Sequence, residues 1–235
     1  MARVLAVLAW LCAGHAVVGG LYWLLLNIPE SNAWMLGASL AVVLAAVWMA
    51  GLVEMTAMLA LGGDLPPTSA PRRAAGRAWL IAFPIVVFAA IWWVAGSAAD
   101  WHARHAGEID AWLIAKAGWT RTAWLHSGLT WLLAFVRYGI GTSLALALLA
   151  SVSAGSLRGI GAAWIPRGLA WRHLLVISLA LLVGLWLPWQ AVYWRPASLP
   201  STWVQPAFAA AKLLVLYVIG NLAWAVALRT AARQP

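Results

Sequence analysis

The chain has 235 residues, 65% of them hydrophobic and only 9% charged, with a formal net charge of +9. A soluble globular domain carries roughly 25% charged and about 45–50% apolar residues. The composition therefore excludes an ordinary soluble domain, a disordered chain and a nucleic-acid-binding protein, and a single cysteine, Cys12, excludes a disulfide scaffold. The mean hydropathy of +0.88 points instead to a membrane protein. In that setting the basic excess belongs to loops beside the bilayer. The 19 tryptophans, against 4 Tyr and 4 Phe, suit membrane–water interfaces, where an apolar ring with a polar edge is stable.

A helix that crosses a bilayer needs about 20 apolar residues. Six segments meet this need or nearly so: 4–26, 33–61, 79–96, 123–152, 174–193 and 204–228. The predicted fold is an all-α polytopic membrane bundle of six transmembrane helices, forming one domain over residues 1–235. The first segment follows Met-Ala-Arg and resembles a signal peptide at its start. It continues apolar to Leu26 without a convincing small-residue cleavage site, which predicts a retained anchor. The third is the shortest and contains Pro84. A kink is expected there, with the freed carbonyl satisfied by a neighbouring helix.

Basic residues orient the spans. Arg3, Arg72, Arg73, Arg77, Arg158, Arg167, Arg172, Arg229 and Arg233 fall on one side. The other side has Arg104, Lys116, Arg121 and Arg195, together with Glu30, Asp100, Glu108 and Asp110. The positive-inside rule then predicts a bacterial inner-membrane protein with both termini in the cytoplasm.

The even-numbered spans share a spacing. Trp34, Trp48 and Gly51 recur as Trp124, Tyr138 and Gly141, and again as Trp203, Tyr217 and Gly220. Spans one and three share Trp10 to Trp23 and Trp79 to Trp92. The pattern predicts three hairpins, 1–75, 76–165 and 166–235, with small residues where helices approach closely.

Each even span also holds one charge: Glu54, Arg137 and Lys212. At roughly 100° per residue from the opening tryptophan, all three fall on an equivalent helix face. His126 and Thr130 extend that stripe in span four, and Gln205 in span six. Converging stripes would form a polar interior that binds an anionic solute, a lipid headgroup or a partner carboxylate. The competing reading has Arg137 and Lys212 bonded to backbone carbonyls or to another subunit. At a rise of about 1.5 Å per residue, Glu54 lies deepest. It is expected near the cytoplasmic boundary, solvated or paired with a loop arginine.

Residues 97–121 place Trp101, His105, Trp112 and Trp119 near helical spacing, with Asp100, Arg104, Glu108 and Lys116 between them. This pattern predicts an amphipathic helix lying in the outer interface. Asp100, His102, His105 and Glu108 invite a metal reading, but no second histidine cluster or HExxH supports it. His15 stands deep in span one beside Gly14, Gly19 and Gly20, and is expected to hydrogen-bond between helices. A bis-histidine haem would need a second histidine at its depth, and none is present. There is no P-loop, nucleophile elbow, dinucleotide fingerprint or zinc spacing. No cofactor is expected. The sequence therefore predicts a non-enzymatic accessory or scaffold subunit whose partners are membrane lipids and other membrane-protein subunits, with no nucleic acid. The alternative is a small transporter or lipid-handling protein with an intramembrane cationic site.

Overall fold

The computed structural model describes residues 2–29, 31–63, 66, 68–119, 121–155, 158, 160–161, 163–194, 196 and 203–233. Among them there is no strand, and six helices are long and apolar enough to cross a membrane. Long helix one is α1 (Ala2–Leu26) and long helix two is α2 (Ala33–Gly62). A short α3 (Ala70–Ala75) and a 3-10 turn (Ala78–Ile81) lead into α4 (Ala82–Ala117), the third. The fourth is built from α5 (Ala123–Ala134), a π-helical segment (Phe135–Ile140) and α6 (Gly141–Gly155). After α7 (Trp164–Gly168), the fifth comprises α8 (Trp171–Leu181), a second π segment (Leu182–Trp186) and α9 (Leu187–Tyr193). The sixth is α10 (Val204–Ala232).

Local chemistry sets several boundaries. Asn32 caps α2 by accepting from the Met35 N–H at 3.0 Å, which supplies one of the orphan donors of the first turn. Gly118 closes α4 with φ 67°, a left-handed conformation that glycine adopts without a Cβ penalty. Pro84 does not fall in a helix interior, where the sequence places it. It stands in the first turn of α4, directly after the 3-10 turn. A first-turn N–H has no intrahelical acceptor, so proline costs little there. Proline acts instead at Pro188, early in α9. It has no N–H for the Gly184 carbonyl, four residues back, and Gly184 lies within the π segment 182–186. Neither π segment was legible in advance.

The 97–121 region also departs from expectation. It is not a separate helix but the continuation of α4, which runs unbroken for 36 residues. At about 1.5 Å per residue that is about 54 Å, well beyond a hydrocarbon core of about 30 Å.

Burial is distributed unevenly along the helices. The end where α2, α6 and α10 terminate gathers Arg77, Arg158 and Arg167, and is here termed the basic end. In α2, residues 53–61 are all buried, whereas Ser39 is the one buried residue of that helix before Gly51. The buried residues of α10 begin at Asn221, and those of long helix four at Gly139. Neither α5 nor α9 has a buried residue. A helix buried all round forms the centre of a core, and the C-terminal third of α2 holds that place. Towards the opposite end, Trp34 and Trp203 are 89% and 84% exposed.

Small residues let backbones meet. A Cβ on Gly51 would collide with the Ala78 carbonyl oxygen, and one on Gly14 with the Val53 side chain. Gly141 faces Phe88 and Ile91 of long helix three, and Gly220 faces Gly184 of long helix five. Two of the three spacing-related glycines thus meet the preceding long helix. Gly51 instead meets the start of the following one, so the hairpins differ in what the shared glycine touches.

Gly51→Ala is expected to destabilise the protein by about 1–3 kcal/mol through overpacking against an unyielding backbone. Gly37→Ala, where nothing lies within 4 Å, should change stability by less than about 0.5 kcal/mol. Unfolding in mixed micelles followed by circular dichroism checks both.

Candidate functional site

The charged residue at the centre of the bundle is Glu54. It sits on the buried stretch of α2 with its side chain 12% exposed. A carboxylate withdrawn from water needs donors, and two long helices supply them. Trp224 of α10 donates its indole N–H to both carboxylate oxygens, at 3.0 and 2.9 Å. His15 of α1 lies with Nε2 2.8 Å from Glu54 Oε1. The other imidazole nitrogen, Nδ1, is 2.6 Å from Asn221 Oδ1. Asn221 donates its amide to the Tyr217 carbonyl at 2.9 Å, which fixes its oxygen toward His15. The Tyr217 hydroxyl donates to the Cys12 carbonyl. Long helices one, two and six are thereby tied by one polar chain.

The proton inventory follows from these partners. His15 Nδ1 faces an acceptor, so it carries a proton. One further proton lies between Nε2 and Glu54 Oε1, on either side. Imidazolium with carboxylate and imidazole with carboxylic acid hold the same number of protons, and both sum to zero charge. The pair therefore remains neutral as a unit inside the apolar bundle, which limits the cost of burying it. Glu54 is largely withdrawn from solvent and pairs with His15 and Trp224 rather than a loop arginine, contrary to the expectation from depth. His15 does bridge between helices.

A groove of about 370 Å³ adjoins this pair. Its polar edge is His15, Tyr217 and Asn221, and the rest is apolar, including Leu181, Leu185 and Leu216. Gly184 and Gly220 line it where long helices five and six approach.

Arg137 and Lys212 find their partners elsewhere. Arg137 lies in the first π segment with its guanidinium 4.7 Å from the Trp92 ring centroid, a cation–π contact. Tyr138 meets the same indole edge-on at 5.0 Å. Lys212 donates to the carbonyls of Val192 and Trp194 at 2.7 and 2.8 Å. These carbonyls end long helix five, where a cation also meets the negative end of the helix dipole. Glu54, Arg137 and Lys212 therefore face three separate sets of partners rather than one polar interior. Thr130 donates to its own helix at the His126 carbonyl, and Gln205 is exposed near the start of α10.

A second polar chain joins α4 to α5, at the end opposite the basic end. His126 Nε2 is 2.6 Å from Asp110 Oδ1, and His126 Nδ1 is 2.7 Å from Nε2 of the buried His102. When His126 donates to Asp110, its Nδ1 is free to accept from His102. His105 turns away from this chain, stacking on Trp101 at 4.7 Å and bonding the Trp101 carbonyl. Trp112 is exposed, and Trp119 packs on Trp124 at 5.4 Å. Among the described residues no group of three His, Cys, Asp or Glu is placed to hold a metal. Asn221, Trp224 and Asp110 were not singled out from sequence. Asn221 carries a signal, as a lone amide within an apolar run. Trp224 was indistinguishable from the interfacial tryptophans, and the pairing of Asp110 with His126 needs the hairpin between them.

Comparison with known protein families, characterised proteins and solved structures finds no match for this chain.

His15→Leu leaves Glu54 with Trp224 as its remaining side-chain donor and should cost about 1–3 kcal/mol. In a double-mutant cycle with Glu54→Leu, the double variant should lose less than the sum of the singles by about 0.5–3 kcal/mol. The cycle is read from reversible unfolding in detergent.

Proposed function

We propose that the protein is a multi-pass bacterial inner-membrane protein with both termini cytoplasmic, acting as a non-enzymatic accessory or scaffold subunit of a membrane complex. The observation that carries this reading is the uneven burial. The helices close on one another at the basic end, while their other halves present large apolar side chains, such as Leu40, Trp131 and Leu214 at 59%, 72% and 64% exposure. In a bilayer that surface is covered by lipid and by partner helices. The internal charges support the same reading, because Glu54, Arg137 and Lys212 have partners within the chain.

One observation favours a second reading, a lipid-handling protein or small transporter. The groove beside His15 pairs hydrogen-bonding groups with an apolar wall, a combination suited to a molecule with one polar end.

Photo-crosslinking residues introduced at Leu40 and Leu214 in cells separate the two. A defined protein adduct at these sites is the expected result for a subunit. A chain that yields only lipid adducts and purifies as a monomer would favour the groove reading. Orientation has its own check. In a Cys12→Ser background, a cysteine at His105 is expected to react with an impermeant maleimide from outside the cell, and one at Arg73 only after permeabilisation.

A further inference from the structure

A cavity of about 300 Å³ opens at the basic end, where α2, α6 and α10 finish. Its floor is apolar, made by Met58 and Leu59 of α2 and by Ala147 and Ala150 of α6. Its rim carries two arginines, Arg158 and Arg167, from the connection between long helices four and five. Three facts about this rim point the same way. Among the described residues no carboxylate lines the cavity. Neither arginine has an ion pair or a hydrogen bond among the described residues, and both are exposed. The nearby helix end that would otherwise attract them is already capped, because Arg77 donates to the Ser153 and Ala154 carbonyls at 2.9 and 3.3 Å.

Arginine presents a planar fork of donors that matches the oxygens of a phosphate. Two unpaired forks over an apolar floor form a site for a group that is anionic at one end and apolar at the other. Basic pockets between helices on the cytoplasmic side of a membrane are suited to anionic headgroups.

We propose that this cavity binds a phosphate-bearing group, with the phosphate between Arg158 and Arg167 and any apolar portion against Met58 and Leu59. The shared chemistry is the phosphate, and its source is either an anionic phospholipid or a free phosphate compound. The choice of an anionic lipid headgroup rests on the orientation proposed above, but not on whether the other half of the bundle meets a partner or a solute.

The test uses the full chain purified in a neutral detergent. Native mass spectrometry compares retention of phosphatidylglycerol with that of phosphatidylcholine, and inorganic phosphate is titrated separately against thermal unfolding. For a lipid site, one phosphatidylglycerol is retained about tenfold more strongly than phosphatidylcholine, and millimolar phosphate leaves it in place. For a free-phosphate site, phosphate raises Tm and the two lipids are retained alike. In either case Arg158→Gln with Arg167→Gln abolishes the preference or the Tm shift. The paired control Arg72→Gln with Arg73→Gln, on the same side of the sequence but outside the cavity lining, retains it. Both arginines are exposed, so the variants should fold, and an unchanged circular dichroism spectrum establishes that they do. The proposal is overturned if neither probe binds selectively, or if the Arg158/Arg167 variant binds as the unaltered chain does.

Discussion

A carboxylate in the middle of an apolar bundle constrains everything packed around it. Glu54 lies on the most enclosed stretch of the chain, with buried neighbours on both sides along α2. Its carboxylate is largely withdrawn from water and needs donors nearby. Those donors come from the first and last long helices, His15 and Trp224. Residues 39 and 170 positions away in sequence are therefore drawn to one point. Asn221 and Tyr217 extend the chain of bonds, and the groove between long helices five and six opens against it.

The remaining charges obey the same rule with different means. Arg137 uses the face of an indole, and Lys212 uses the carbonyls at a helix end. Neither recruits a carboxylate, consistent with a chain that has only six acidic residues. Two arginines at the basic end stand apart, because they rim a cavity with an apolar floor and no acid among its described lining residues.

Much of the fold was legible because hydropathy and helix length report directly on apolar runs. All six long helices lie where the runs fall, and most ends move by only a few residues. The errors share a cause. Pro84 was read as interior because the 3-10 turn before it has no hydropathy signature. The 97–121 stretch was separated from long helix three because its polarity changes, although nothing in its backbone breaks. The π segments depend on a missing N–H at Pro188 and on local packing, neither of which alters a periodicity count. For the site, an equivalent angular position on three helices did not imply convergence. Helical phase gives a face, but not the direction in which that face points within a bundle.

The sequence by itself determined an all-helical chain with six apolar helices, because burying or covering so much apolar surface leaves few alternatives. It also determined which residues would be costly inside: His15, Glu54, Arg137 and Lys212. Only the tertiary structure decided their partners. Hydrogen bonds act over about 3 Å, so the pairing of Glu54 with Trp224, or of Lys212 with the end of α9, depends on which helices become neighbours and at what height. That same packing set two arginines over a cavity, an arrangement that no spacing along the chain records.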